Sequence, residues 1–207
     1  MTYIMETKAL NLPQISQEEK LIAKYLETSL GKRPKFFIHR DEPTDPVYVA
    51  IGRVSDSPSP QLTAFATNGI SNYPLYASDG SVYSDTRLEL VGACETGQAD
   101  EFEQMIFFSA RTIIKQKWFC APGTFLNNAV SRFGKFGDMQ HLYFTTPFGF
   151  DGFSTESFGE RKVSWLSPVP VSSAEVQFAR ENSTEKLEEA FEENDVDWFN
   201  LKRASIF

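Results

Sequence analysis

Cys94, Cys120, His39 and His141 are the side chains of this 207-residue sequence best suited to attack a substrate, ligate a metal or relay a proton. A nucleophilic cysteine needs an imidazole within hydrogen-bond reach and a third group to orient that imidazole. These four residues fall in separate predicted elements with no local third partner. A hydrolase built on His141 and Cys120 with nearby carboxylates therefore stands as an alternative only. A zinc site draws three or four ligands from compactly spaced His, Cys or carboxylate residues, and the sequence contains no C-x-x-C or H-E-x-x-H. It also lacks the glycine-rich phosphate loops and the G-x-S-x-G elbow. The expectation is no catalytic residue, no metal and no cofactor.

The carboxylates concentrate in Glu185, Glu188, Glu189, Glu192, Glu193, Asp195 and Asp197. Like charges at this spacing mildly oppose a helix and usually form a solvated face; the functional alternative is an acidic patch for a cationic partner. Asp195 and Asp197 by themselves fall short of the six to eight oxygens that calcium takes. Tyr73, Tyr76 and Tyr83 lie among two turn sequences, Asn68-Gly69-Ile70-Ser71 and Ser78-Asp79-Gly80-Ser81. Amphipathic tyrosines in such a loop suit recognition of another protein, although packing beneath the loop is as common. The stretch PFGFDGFSTESF at 147–158 reads either as an aromatic lip or as core, with Phe148, Phe150 and Phe153 alternating along an irregular strand.

With 20 basic and 28 acidic side chains the net charge is −8. That sign repels phosphate backbones, which argues against nucleic acid, and favours encounter with a basic partner. The N-terminal sequence lacks the basic flank and apolar run of a signal peptide, and no apolar run is long enough to span a bilayer. Two cysteines make no disulfide framework. These features place the chain in the cytoplasm, with no membrane partner.

The elements that must position these residues are legible as periodicities. Helices are expected at 17–30, with a capping box of Ser16 and Glu19, and at 101–117, with Asp100 as N-cap. Strands are expected at 36–39, 47–54, 61–67, 87–93 and 141–148, the last continued by the Gly- and Phe-rich stretch. RKVSWL at 161–166 reads as the last strand, ended by Pro168 and Pro170 because proline offers no N–H to a ladder. Ser172 and Glu175 then form a second capping box for a helix near 173–180, followed by another at 184–193. The sum is an α+β fold: one mixed domain over 1–207, its central, largely antiparallel β-sheet packed by helices, with 1–15 as a loose N-terminal extension.

The order of pieces resembles the Suppressor of Fused (SUFU-like) domain family, in its stand-alone bacterial form, from about Ile22 to the C-terminus. The segments that carry the likeness are TAFATNGISNYPLY, RLELVGA, ARTIIKQKWFCAPGTFL, HLYFTTPFGF and VSWLSPVPVSSAEVQFA. DWFNLKRASIF follows them, with Asn200, Arg203 and Ser205 in a closing pattern. The resemblance implies a non-enzymatic protein-binding module, most concretely a bacterial immunity protein that neutralises a polymorphic toxin, such as a basic toxin domain, by direct binding. The alternative it implies is a regulatory protein that takes an endogenous peptide by β-strand addition. The family's groove residues follow its Gly-x-Ser turn, which here points to Tyr73, Tyr76 and Asp79 as partner-binding residues.

Overall fold

The structure is a computed structural model that describes residues 14–83 and 85–207. Most of the expected N-terminal extension, residues 1–13, lies outside the described residues. The chain runs α1 (Gln17–Ser29), β1 (Lys35–His39), β2 (Val49–Ser55), β3 (Leu62–Asn68), β4 (Leu75–Tyr76), β5 (Val82–Tyr83) and β6 (Arg87–Glu95). It continues through α2 (Ala99–Gln116), β7 (Thr124–Leu126), β8 (Met139–Thr145), β9 (Glu156–Phe158), β10 (Arg161–Ser172), α3 (Ser173–Glu181) and α4 (Thr184–Glu193).

Eight strands form one sheet in the order β1-β2-β3-β6-β10-β8-β7, with β9 also paired to β10; β4 and β5 form a separate hairpin. Every pairing is antiparallel except β6 with β10. Alternate residues of a strand face opposite sides of its sheet. On one side Ile51, Phe65, Leu90 and Leu142 meet Phe102, Met105 and Ile106 of α2. On the other, Ala64, Val91 and Trp165 meet Ile22 and Leu26 of α1, and Tyr143 and Val171 meet Val176, Leu187 and Phe191 of α3 and α4. The result is the mixed, mostly antiparallel α+β architecture expected. Among the described residues, no helix is long and apolar enough to cross a membrane.

The largest departure from expectation is β10, which does not stop at Leu166. It continues through Pro168 and Pro170, which stand opposite Phe144 and Leu142 of β8. Both prolines have the same parity, so their missing N–H groups point away from β8, toward the side where pairing with β6 has ended at Leu166. The Pro170 carbonyl faces that side too and accepts a hydrogen bond from Arg203 Nη2 at 3.0 Å. The prolines do not end the ladder; they sit where no donor is needed.

Two further differences are local. Helix α2 starts at Ala99 with Gln98 as its N-cap, because a 3-10 turn at Thr96–Gln98 leads into it; Asp100 instead pairs with Arg53 at 2.9 Å. Strand β8 ends at Thr145, so Phe148, Phe150 and Phe153 are packed but not in a strand. Phe148 lies against Trp198 (ring centroids 4.6 Å apart), and Phe153 lies against both Trp165 and Tyr25.

The capping box at the start of α3 forms as expected: Glu175 N–H donates to Ser172 Oγ at 3.0 Å and Ser172 N–H to Glu175 Oε2 at 2.9 Å. Ser172 Oγ also shares a 2.7 Å hydrogen bond with Ser205. Ser172→Ala should therefore lower unfolding free energy by about 1–2 kcal/mol in denaturant titration, since a lost N-cap alone costs ~1 kcal/mol. Unchanged stability would contradict this role.

Candidate functional site

The turn and hairpin that carry Tyr73, Tyr76 and Asp79 are held up by one buried carboxylate. Leaving β3, the chain turns at Gly69, whose φ of +146° is open to glycine. The amides of Gly69, Ile70 and Ser71 converge on Glu89 of β6 at 2.8, 3.3 and 3.0 Å, and the Thr67 hydroxyl donates to it at 2.5 Å. Burial pushes the pKa of Glu89 up, and these donors pull in the opposite direction. The next residue, Asn72, is held from two sides: its amide donates to Glu19 Oε1 and its carbonyl accepts from Arg161. The turn after β3 is thereby fixed before the β4–β5 hairpin begins.

The hairpin projects from this base. Leu75 is buried beneath it, and the Lys117 ammonium lies 5.0 Å from the centre of the half-buried Tyr76 ring. At the tip, Gly80 N–H donates to Ala77 O, and Ser81 N–H donates to Asp79 Oδ1 at 2.9 Å. Hydrogen bonds from Ser81 hold the Asp79 carboxyl below its ordinary pKa. Val82 and Tyr83 are 52% and 44% exposed, large apolar surfaces left to solvent by a strand pair two residues long. Of the three residues singled out from sequence, Tyr76 and Asp79 share this hairpin. Tyr73 sits at its foot, half-buried; burial pushes its hydroxyl's pKa up, opposed by a hydrogen bond from the Tyr48 backbone. Val82 escaped the sequence reading, although Leu-Tyr and Val-Tyr flanking an Asp-Gly turn is a hairpin signature.

Below the hairpin the sheet is split. Residues 164–166 of β10 pair with β6 on one side, while β9 pairs only up to Val163 and β8 only from Ser167. A cleft of about 280 Å³ opens at this break. Leu75, Leu88, Phe119 and Leu166 give it an apolar floor, and Tyr83, Thr86, Thr146, Thr155 and Ser164 give it hydroxyl groups. The Arg87 guanidinium ties β6 back to the Tyr83 carbonyl at 3.1 Å. A cleft of this kind suits an apolar side chain of a partner whose backbone meets the polar rim.

The chemically reactive residues are arranged differently. His141 Nδ1 accepts from the Asn128 amide at 2.9 Å, so its proton sits on Nε2, which donates to Ser173 Oγ at 2.9 Å. That tautomer cannot take a proton from Ser173. Cys94 and Cys120 are buried in the main core cluster, where burial pushes the Cys94 thiol up to about 12 and the Cys120 thiol further. Among the described residues no hydrogen bond joins either cysteine to a histidine, and no group of three or more His, Cys, Asp or Glu is placed to hold a metal. His39 instead pairs with Glu103 at 2.9 Å.

The neutral His141 predicts a pH response. Burial, with Arg180 nearby, lowers its pKa from the ordinary 6.5. The unfolded chain then binds the extra proton more readily, so this contribution to stability is full above about pH 6.5 and is lost as pH falls through the lower folded value. Melting temperature should drop between about pH 7.5 and pH 5, and His141→Gln should flatten that slope; identical slopes in both proteins would refute the assignment.

Comparison with known proteins adds to this geometry. A model of the family described as Suppressor of fused protein (SUFU) matches residues 42–204. Immunity protein YqcF of Bacillus subtilis (strain 168) is similar to this chain, 29% identical over 194 residues, covering 93% of this chain and 98% of that protein. Among solved structures, a SUFU homologue from Neisseria gonorrhoeae FA 1090 superposes with a TM-score of 0.66 at 14% identity, over 91% of this chain and 96% of that one. A chain of the Sufu–Fu complex gives 0.65 at 12% identity, with 94% of each covered. Drosophila Suppressor of Fused gives 0.62 at 12% identity, over 92% of this chain and 51% of that one. At these identities the structural likenesses establish the fold.

Proposed function

The chain belongs to the Suppressor of fused family, and from that membership we propose that it is a non-enzymatic, cytoplasmic immunity protein that neutralises a toxin by binding it. The observation that carries the proposal is the near-full-length likeness to an immunity protein, 98% of whose length is matched. The exposed hairpin supports it with a place to bind. Val82 and Tyr83 supply apolar contact, Tyr76 and Asp79 flank them on the same hairpin, and Tyr73 steadies its foot. The cleft beside Tyr83 would take an apolar anchor from the toxin. The net charge of −8 suits a basic toxin domain, whose approach it would speed.

Co-expression with the toxin encoded beside this gene tests the function, with growth and recovery of a complex as readouts. Neither protection nor complex would end the immunity reading. The double variant Val82→Asp/Tyr83→Ala should weaken the complex at least ~100-fold, as loss of interface anchors does, at unchanged melting temperature. Protection by the wild type together with full binding by this variant would move the interface away from the hairpin and leave the function standing.

A further inference from the structure

On the side of the molecule formed by α1 and β1, the chain presents cations on an otherwise acidic protein. Lys20 and Lys24, one turn apart on α1, and Arg33, just before β1, line a groove of about 460 Å³. No ion pair, side-chain hydrogen bond or ring contact joins the charged group of any of the three to another described residue, and Glu27 is the one carboxylate among the groove's described lining. Unpaired cations brought together repel one another, and an anionic partner relieves that repulsion.

The floor of the groove is apolar and is built by close backbone approach. Pro34 and Phe36 lie over Gly52 of β2, the residue opposite Phe36; a Cβ at Gly52 would come within 2.8 Å of Pro34 Cβ and 2.9 Å of Phe36 Cε1. Ile38 shares the face of Phe36 by strand alternation and is 43% exposed, while Phe37 on the other face is 38% exposed. Strand β1 ends the sheet, so its outer row of N–H and C=O groups has no strand partner among the described residues. Edge strands are ordinarily protected by charge, proline or cover. Here the edge carries two exposed apolar side chains, and Lys35 lies over the Phe37 ring at 5.0 Å.

We propose that the outer edge of β1 and the groove beside α1 form a second protein-docking surface, which takes an extended, acidic, apolar-alternating segment of a partner protein by strand addition. Its backbone pairs with β1, its carboxylates project on the face of Phe36 and Ile38, where Lys20, Lys24 and Arg33 lie, and its apolar side chains continue Phe37 on the other face. This surface is separate from the β4–β5 hairpin, and its occupant has the charge opposite to that of a basic toxin domain.

The probe is a short fluorescent peptide alternating glutamate with valine, titrated into the full chain and followed by polarisation. Expected results are saturable binding, weakening as salt rises, and a loss of at least ~10-fold in affinity for Lys20→Glu/Lys24→Glu/Arg33→Glu. The three sites are exposed, and a melting curve of the variant checks that it remains folded; Phe37→Ser provides a second variant that should weaken binding without altering charge. A peptide with N-methyl groups at alternate residues should not bind. The proposal is overturned by absence of binding, equal binding of the lysine–valine peptide, or full binding of the N-methylated peptide, which would indicate an occupant other than a strand. Displacement by millimolar inorganic phosphate alone would reduce the surface to a simple anion site and also overturn it.

Discussion

Arg203→Ala is expected to lower the melting temperature by about 10 °C. That figure follows from the ~3–5 kcal/mol lost when one partner of a buried ion pair is removed, at roughly 2–4 °C per kcal/mol for a chain of this size. Arg203 is 7% exposed and Glu175 is fully buried. Their two hydrogen bonds, at 2.6 and 2.8 Å, form a bidentate pair. The same guanidinium donates to the carbonyls of Pro170 and Ala204 and lies 5.1 Å from the centre of the Phe191 ring. Alanine removes all of this and leaves a carboxylate in the core with only the amides of Ser172 and Ile206 for partners. Hydrogen exchange should rise along residues 199–206, which Arg203 fastens to β10. A melting temperature within about 2 °C of wild type would show that Glu175 readily finds water or another donor. Arg203→Met paired with Glu175→Leu should recover part of the loss, because an apolar pair of similar volume avoids the unpaired charge.

Glu89→Ala is expected to cost about 4 kcal/mol. It orphans three buried amides and a hydroxyl, each worth about 1–3 kcal/mol when left unsatisfied, with some relief from entering water. Glu89→Gln should cost less. Its carbonyl can still accept from Gly69 and Ser71, while its NH₂ faces donors at Thr67 and Ile70. The two changes also separate structure from function. If Glu89 positions the hairpin, partner binding falls in both variants, and protease cleavage within residues 72–86 rises in step with the stability lost. Binding retained at full strength in Glu89→Ala would mean that the hairpin holds its shape without this carboxylate.

Much of the scaffold could be read from sequence because its signals are local. Both capping boxes, Ser16 with Glu19 and Ser172 with Glu175, form as read, and α4 falls on the residues its spacing marks. What escaped depends on distant partners. Pro168 and Pro170 look like a stop signal until one knows that β8 lies on one side of them and Arg203 on the other. Glu89 reads as the polar alternate of a half-exposed strand, but α1 covers that face and the backbone beyond β3 supplies its donors. The cleft under the hairpin could not be read at all. It exists because β8 and β9 leave β10 at different residues, a fact of register that no single segment encodes.

The central place of β10 also bears on how the molecule assembles. Without it the sheet falls into β1-β2-β3-β6, β8-β7 and a lone β9, and β6 and β8 are left with bare inner edges. Strand β10 joins them, and its parallel register with β6 brings together Arg87 and Val163, 76 positions apart in the chain. Such long-range pairing is slow to form. Until it does, the exposed edges of β6 and β8 can recruit strands from other nascent or refolding copies. Refolding yield should therefore fall as protein concentration rises, even under conditions in which the finished sheet is stable.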